Sequence, residues 1–471
     1  MKRHFWFMIT GLILLAAGGC AWFFLTIGEG DGPQVTTEGD PGMLGRQTPL
    51  AVIFSDAGTG LRHTEITITQ DNRPRVLSSL DYPETGVRRK ALSVAVDAAA
   101  LKLHDGPATL TLTAVDHSLW KNRTVVDRPV TIDFLPPQIF ALNPANHINP
   151  GGTCVVTYTL SEAPSLTGVQ VGNLLYPGYP VALPGKSGYV AYFALPMDAT
   201  QGTPQIRITA RDKAGNETLG AIPTLILKRK FRSDTMVLSD AFLNQKMPEF
   251  QTMIPELRGK TAIETFTYVN TRLRDENLQT IQSVCRKSEP RQLWQETFIR
   301  MKNAAPMALF GDRRTYLYGG KPVGESIHTG VDLASLAHAS IEAANTGIVR
   351  FAGPLGIYGN TVIIDHGLGL ATLYGHLSAI SVRPDQTVKR GEAVGTSGVS
   401  GLAGGDHLHF SMLVNGQFVD PREWWDPHWI EDNVMKKLAG EVAVEGGQSA
   451  PAPAVKKTPP AKRVRAAKSR R

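Results

Sequence analysis

Apolar and polar positions change pattern several times along this chain. Phe5 to Ile27 reads as an almost continuous apolar run. At about 1.5 Å per helical residue it is long enough for the roughly 30 Å core of a bilayer. Residues 29–48 are polar and rich in Gly and Pro, a linker pattern. From residue 49 the period becomes two, as in Glu65-Ile66-Thr67-Ile68-Thr69 and Ala108-Thr109-Leu110-Thr111-Leu112-Thr113-Ala114. Such alternation of β-branched and polar residues predicts half-buried strands. Between about 230 and 306 the period turns helical. Thr261-Ala262-Ile263-Glu264 fits a capping box, with Phe266, Val269 and Leu273 on one face and Leu278, Ile281 and Cys285 continuing it. Leu293, Trp294 and Phe298, after Pro290, predict a further short helix. Residues 307–426 return to strands and glycines, and 427–471 read as a disordered Ala/Pro/Lys/Arg tail.

The strand-rich half carries a weak repeat. Thr113-Ala114-Val115-Asp116, with Lys121-Asn122 after it, is echoed by Thr209-Ala210-Arg211-Asp212 with Gly215-Asn216. A period near 96 residues with many short strands predicts two β-sandwich modules in tandem, over 49–134 and 135–229. The phrase from Ile208 to Thr218, ITARDKAGNET, loosely resembles the last hairpin of bacterial immunoglobulin-like modules. Function does not follow from such a fold, and the modules read first as spacers.

Composition supports a multidomain, mainly β protein. The chain has 471 residues, too many for one ordinary core, and its 46 glycines and 31 prolines favour turns over helical bundles. The net charge of +7 is a property of the tail: Val434 to Arg471 holds 10 Lys/Arg and 2 Glu, leaving the remainder near −1. A nucleic-acid-binding domain would carry its charge on a folded face, so no nucleic-acid partner is expected. The tail itself suits contact with anionic wall polymers or lipid headgroups, or solubilisation alone. Cys20, Cys154 and Cys285 form no zinc-knuckle or disulfide framework.

Lys2, Arg3 and His4 precede the apolar run and Glu29 and Asp31 follow it, which sends the rest of the chain outward. A cleaved signal peptide is one rival, and Ala17-Gly18-Gly19-Cys20 faintly resembles a lipoprotein processing site. The run continues past Cys20 through Leu25. The expectation is therefore an uncleaved anchor over 1–28, placing the protein at the inner membrane with its bulk in the periplasm or wall space.

Candidate chemistry lies near the C-terminal end. Six of the 12 histidines fall between residues 328 and 409. His407-Leu408-His409 sits on a predicted strand, where alternation turns both imidazoles to one face. His328-Thr329-Gly330-Val331-Asp332 adds an imidazole and a carboxylate, and His376 stands at a strand end in Tyr374-Gly375-His376-Leu377. His366 reads as a turn residue and His338 as a surface or loop residue. No H-E-x-x-H helix and no thiolate set is present, leaving two imidazoles and one carboxylate on strands and loops, the donor set of a catalytic zinc.

The segments FGDRRTY, HTGVDLAS, ANTGIVRFAG, YGNTVIIDHGLGLATLYGHLS, VKRGEAVGTSG and GGDHLHF follow one another between Phe310 and Trp425. This stretch resembles the catalytic domain of the lysostaphin/LytM-type zinc peptidases, which cut peptide bonds in peptidoglycan. The resemblance implies a small antiparallel β-domain with one Zn²⁺ in a groove. It implies His328, Asp332 and His409 as metal ligands, and His376 and His407 as the non-ligand catalytic pair. The expected function is a zinc metalloendopeptidase acting on peptidoglycan cross-links. A non-catalytic wall-binding regulator, or a wall anchor acting through its β-sandwiches, are the alternatives.

Overall fold

The structure, a computed structural model, describes residues 2–440 apart from 27, 29, 40, 98, 99, 144 and 145. The basic segment 441–471 therefore lies outside the described residues. The protein is mainly β. Its first sandwich packs a three-stranded sheet (Gln34–Thr37, Gln47–Ser55, Arg89–Asp97) on a five-stranded one centred on Leu61–Gln70 and Gly106–Asp116. The inward positions of the alternating strands, among them Val52, Phe54, Ile66, Ile68, Leu110 and Leu112, form its core.

The second sandwich pairs two four-stranded sheets, with Thr153–Leu160 and Lys186–Ala194 central to one and Leu166–Val171 and Ile206–Arg211 to the other. The sequence repeat is a structural clasp. Asn122 donates its backbone N–H to Asp116 Oδ1 at 2.8 Å and its side-chain amide to Oδ2 at 2.8 Å. Asn216 grips Asp212 in the same way at 2.9 and 2.8 Å. Each amide also reaches the chain that enters its module, at Asp31 O and Asp133 O.

The segment after the second sandwich is helical only in part. Ser239 caps Asp240–Met253, which buries Leu243, Met247 and Phe250 along one face. Thr261 and Glu264 close the expected capping box, and the helix then runs through Ala262–Tyr268 and a π-turn to Arg274–Cys285. The short helix expected around Trp294 is absent. There Leu293 donates to His366 O, Phe298 to Trp424 O and Ile299 to Ala344 O, so the backbone bonds distant segments rather than itself. Ser233–Val237 is likewise a strand, paired in parallel with Arg313–Tyr318.

The last part is built on an eight-stranded sheet whose middle strands are Val331–Ala334, Leu408–Val414, Leu370–Leu377 and Asn360–Gly367, all antiparallel. It does not stand apart from the second sandwich. One continuous core takes in Val155, Tyr192 and Phe193 from the sandwich and Phe410, Met412 and Trp424 from the C-terminal part. Trp424 sits at the joint, fully buried against Tyr192, Trp294 and Phe298, with its indole N–H donating to Thr153 Oγ1 at 3.1 Å. The chain expected to begin the tail continues this contact. Pro427–Ile430 and Lys436–Leu438 are helical, Ile430 and Val434 are buried, and Lys437 Nζ reaches Asn146 Oδ1 and Val155 O. Ile430 and Val434, four residues apart, give this stretch the apolar face that its lysines masked.

The membrane expectation is overturned as well. Among the described residues no helix is long and apolar enough to cross a membrane. The helix Lys2–Thr26 contains Lys2, Arg3, His4, Thr10, Gly11, Gly18 and Gly19, none of which adds an apolar side chain, and Ile27 lies outside the described residues. The span predicted over residues 5–27, and the inner-membrane location built on it, are corrected accordingly. Cys154 and Cys285 are buried free thiols.

Two outcomes follow for the joint. Trp424→Ala should cost about 3–5 kcal/mol in denaturant unfolding, the range for removing a fully buried aromatic. Glu423 lies against Gly152 and accepts the Thr153 N–H at 2.7 Å. Burial pushes its carboxyl up to about 8, with Asp420 adding to the shift and the Thr153 N–H opposing it. A carboxyl raised in the folded state binds a proton that the unfolded chain has already released. Its stabilising contribution is complete below the ordinary carboxyl pKa and is lost as pH rises toward about 8. Unfolding midpoints measured from pH 5 to 9 should fall in the parent and flatten in Glu423→Gln.

Candidate metal and catalytic site

The central sheet brings the five predicted residues together from four stretches of chain. Asp332 lies directly opposite His409 in the antiparallel pairing of Val331–Ala334 with Leu408–Val414. Facing cross-strand residues hold their Cβ atoms about 5 Å apart, which sets the spacing of these two groups. On its other side His409 faces Gly375, so His376 follows one residue later at the end of Leu370–Leu377. His328 comes just after Lys321–Ile327, held by its N–H to Asp312 O and by Gly311 N–H to its own carbonyl. His407 precedes its strand and bridges to Gly398.

Asp332 Oδ1 is 2.9 Å from His328 Nε2 and 2.9 Å from His409 Nδ1, and those two nitrogens are 3.1 Å apart. All three residues are buried. His407 Nε2 is 3.6 Å from the same carboxylate oxygen, and the His376 and His407 rings lie 4.8 Å apart beside the triad.

The outer nitrogens determine what the inner ones can do. His328 Nδ1 meets Leu309 O at 3.0 Å, His376 Nδ1 meets Ser400 O at 2.8 Å and His407 Nδ1 meets Gly405 O at 2.8 Å. A carbonyl only accepts, so in each ring the outer nitrogen carries the proton and a neutral ring turns a lone pair inward. His409 Nε2 faces the Ser411 hydroxyl at 2.9 Å, which can accept in the same way. Two imidazole lone pairs and a carboxylate oxygen within about 3 Å of one another repel unless a positive charge lies between them. This donor set fits a metal ion.

Electrostatics divide the residues further. Burial opposes the charge on Asp332, yet the surrounding imidazoles, His328 foremost, hold its carboxyl well below the usual range. Burial pushes His409 down to about 4, only partly offset by Asp332. His376 is driven to about 3 by burial and then by repulsion from His407 and His409, and so stays neutral. Burial would also lower His407, but Asp332 outweighs it and raises the imidazole. His376 has φ 61°, a left-handed conformation rare outside glycine, which turns its ring toward Ser400.

The site opens on a cleft of about 520 Å³. Tyr358 and Leu402 line one side, and Leu238, Phe242 and Phe266 from the accessory segment line another. Tyr358, and Leu402 and Gly404 of the turn from Gly398 to Gly405, border it. His338 is an exposed loop residue as expected, whereas His366 is not a turn residue. It ends the strand Asn360–Gly367, fully buried between Thr346 O and Thr372 Oγ1, and burial lowers it to about 4. Sequence reading missed Ser411, although its position two residues after His409 on one strand face could have disclosed it. It missed the Leu309, Ser400 and Gly405 carbonyls because backbone groups leave no trace in side-chain pattern. Arg314, whose Nη2 lies 3.5 Å from Asp332 Oδ2, was equally silent.

Residues 326–421 match the family model described as peptidase family M23. This stretch is an M23 peptidase domain. The resemblance carried by HTGVDLAS and GGDHLHF is thus borne out. Over 95 residues the chain is 42% identical to DD-carboxypeptidase/endopeptidase Mpg of Neisseria meningitidis, covering 20% of this chain and 22% of that protein. It is 37% identical over 93 residues to peptidoglycan DD-endopeptidase ShyA of Vibrio cholerae, covering 20% and 22%. The chain spans about a fifth of the length of these curated relatives. The catalytic domain of lysostaphin from Staphylococcus simulans aligns at 26% identity over 28% of this chain and 98% of that one, with a TM-score of 0.24.

The loop that carries the Ser400 carbonyl depends on close backbone approach. A Cβ on Gly401 (φ 68°) would come within 2.4 Å of Gly359 N and 2.6 Å of Ile357 O. Gly401→Ala should therefore lower stability by more than about 1 kcal/mol in thermal or denaturant unfolding.

Proposed function

We propose that this protein is a zinc-dependent endopeptidase that hydrolyses peptide cross-links of peptidoglycan, with His328, Asp332 and His409 as the zinc ligands. The convergence of His328 Nε2, His409 Nδ1 and Asp332 Oδ1 carries this reading. Tetrahedral zinc with bonds of about 2.0–2.1 Å separates its ligand atoms by about 3.3 Å. The observed separations of 2.9–3.1 Å are close to that. Three protein ligands leave the open position that distinguishes catalytic from structural zinc. The relatives named for peptidoglycan DD-endopeptidase activity support the substrate class.

When bound, zinc supplies Lewis acidity, polarising an amide carbonyl and acidifying water. The chain's own residues do the rest. Leu309 O and Ser411 Oγ orient the ligand imidazoles through their outer nitrogens. His376 and His407 stand together beyond the ligands, each with its Nδ1 on a backbone carbonyl, and His407 Nε2 faces Asp332 Oδ1 at 3.6 Å. This pair takes the proton that water loses as it attacks the scissile carbonyl, and returns one to the leaving amine. Tyr358, Leu402 and Phe242 give the cleft apolar walls beside the reacting bond.

Purified peptidoglycan incubated with the protein, with and without chelator, should release new muropeptides only where metal is present. His409→Ala should lose zinc and activity together. His407→Ala should lose at least about a hundredfold in activity, the lower range for general acid–base residues, while retaining near-stoichiometric zinc. Identical muropeptide profiles in all samples would sink the enzymatic reading and leave a wall-binding regulator in its place.

A further inference from the structure

The helix Asp240–Met253 lies outside the stretch that matches the peptidase family, yet it reaches the catalytic loop. Lys246 has a side chain only 8% exposed, and its Nζ donates to Val399 O at 2.7 Å. One helical turn later Glu249 offers Oε1 to Gly401 N–H at 3.5 Å, and the two side chains face each other at 3.7 Å. The two contacts bracket Ser400. Its carbonyl takes the His376 Nδ1 proton, its hydroxyl accepts from Asn360 N–H at 2.9 Å, and the same hydroxyl donates to Leu377 O at 2.8 Å.

Burying a lysine ammonium is expensive unless the charge is bonded or paired. A residue that served only to pack the helix would be apolar here, like its neighbours Leu243, Met247 and Phe250. Ser400 is held through its hydroxyl by Asn360 N–H and Leu377 O, whereas the backbone on either side of it, Val399 O and Gly401 N–H, meets the accessory helix. His376 ends its own strand in an equally uncommon backbone conformation, so the direction of its ring depends on where Ser400 O sits.

We propose that Lys246 is a positioning residue: from the accessory helix, with Glu249, it fixes the Val399–Gly401 backbone so that Ser400 O holds His376 with Nε2 directed into the cleft. The proposal rests on the endopeptidase reading for its kinetic consequence but not for its structural one. The accessory helix is then a working part of the site.

The test uses the full chain with Lys246→Met, Lys246→Arg and Glu249→Gln, and reads three quantities: turnover of a cross-linked muropeptide, bound zinc, and hydrogen exchange over residues 396–405. Lys246→Met should lose about tenfold or more in kcat, as expected for a misaligned catalytic group, with KM changed less than about threefold and zinc retained. Exchange at the loop should accelerate. Lys246→Arg, which keeps the charged donor, should restore most of both, and Glu249→Gln should show a smaller effect of the same kind. Unchanged turnover and unchanged loop exchange in Lys246→Met would overturn the proposal, as would a loss that Lys246→Arg fails to reverse. If Lys246→Met does not fold, Glu249→Gln and Lys246→Arg decide through loop exchange. A parent chain inactive on muropeptides would refute the endopeptidase reading alone, because loop exchange still reports the clamp.

Discussion

Three electron-rich atoms, His328 Nε2, His409 Nδ1 and Asp332 Oδ1, face one another at 2.9–3.1 Å. Such an arrangement is unfavourable alone, because two lone pairs and a carboxylate oxygen repel at that range. The sheet sets this spacing. Cross-strand pairing holds Asp332 against His409, and the outer nitrogens of the rings are tied to Leu309 O and Ser411 Oγ. A cation held among these groups would offset that repulsion. The antiparallel sheet is therefore the frame on which the chemistry of this site depends.

The rigidity of that frame draws on parts of the chain that lie beyond the peptidase match. Trp424 is buried in a cluster with Trp294 and Phe298, and it also touches Tyr192 of the second sandwich. Arg229 pairs with Asp420, and Lys437 reaches Asn146, closing the same joint from two further sides. A module that reads in sequence as a spacer is thus continuous in its core with the domain it was expected merely to carry. The accessory helices play the corresponding part on the open side, where Phe242 and Phe266 wall the cleft.

Several asparagine side chains in this protein hold backbone groups of irregular segments. Asn122 and Asn216 clasp an aspartate and the incoming chain in each sandwich, Asn277 holds Ile357 N–H, and Asn345 bonds both ways with Gln295. Each satisfies donors or acceptors of irregular segments that no sheet ladder serves. That is how loops such as 286–304 remain ordered without regular structure, and why the helix predicted around Trp294 gave way to an extended strap.

Much of the protein was legible in one dimension where a local rule governed the outcome. Period-two alternation marked Leu61–Gln70 and Gly106–Asp116 as strands, the Thr261/Glu264 box marked a helix start, and the spacing of His407 and His409 put two imidazoles on one side. The five candidate residues followed from the family resemblance, whose motifs stand in the sequence itself, and the fold brings them together. What only the tertiary structure decided concerns relations between distant segments. These include the apolar contacts that fold 427–438 onto the second sandwich, the burial of His366, and the reach of Lys246 to Val399. The carbonyls that set the imidazole tautomers belong here too, since every residue carries one and nothing in the sequence says which will be used. Local periodicity determines elements; the packing of those elements determines which backbone atoms meet the histidines.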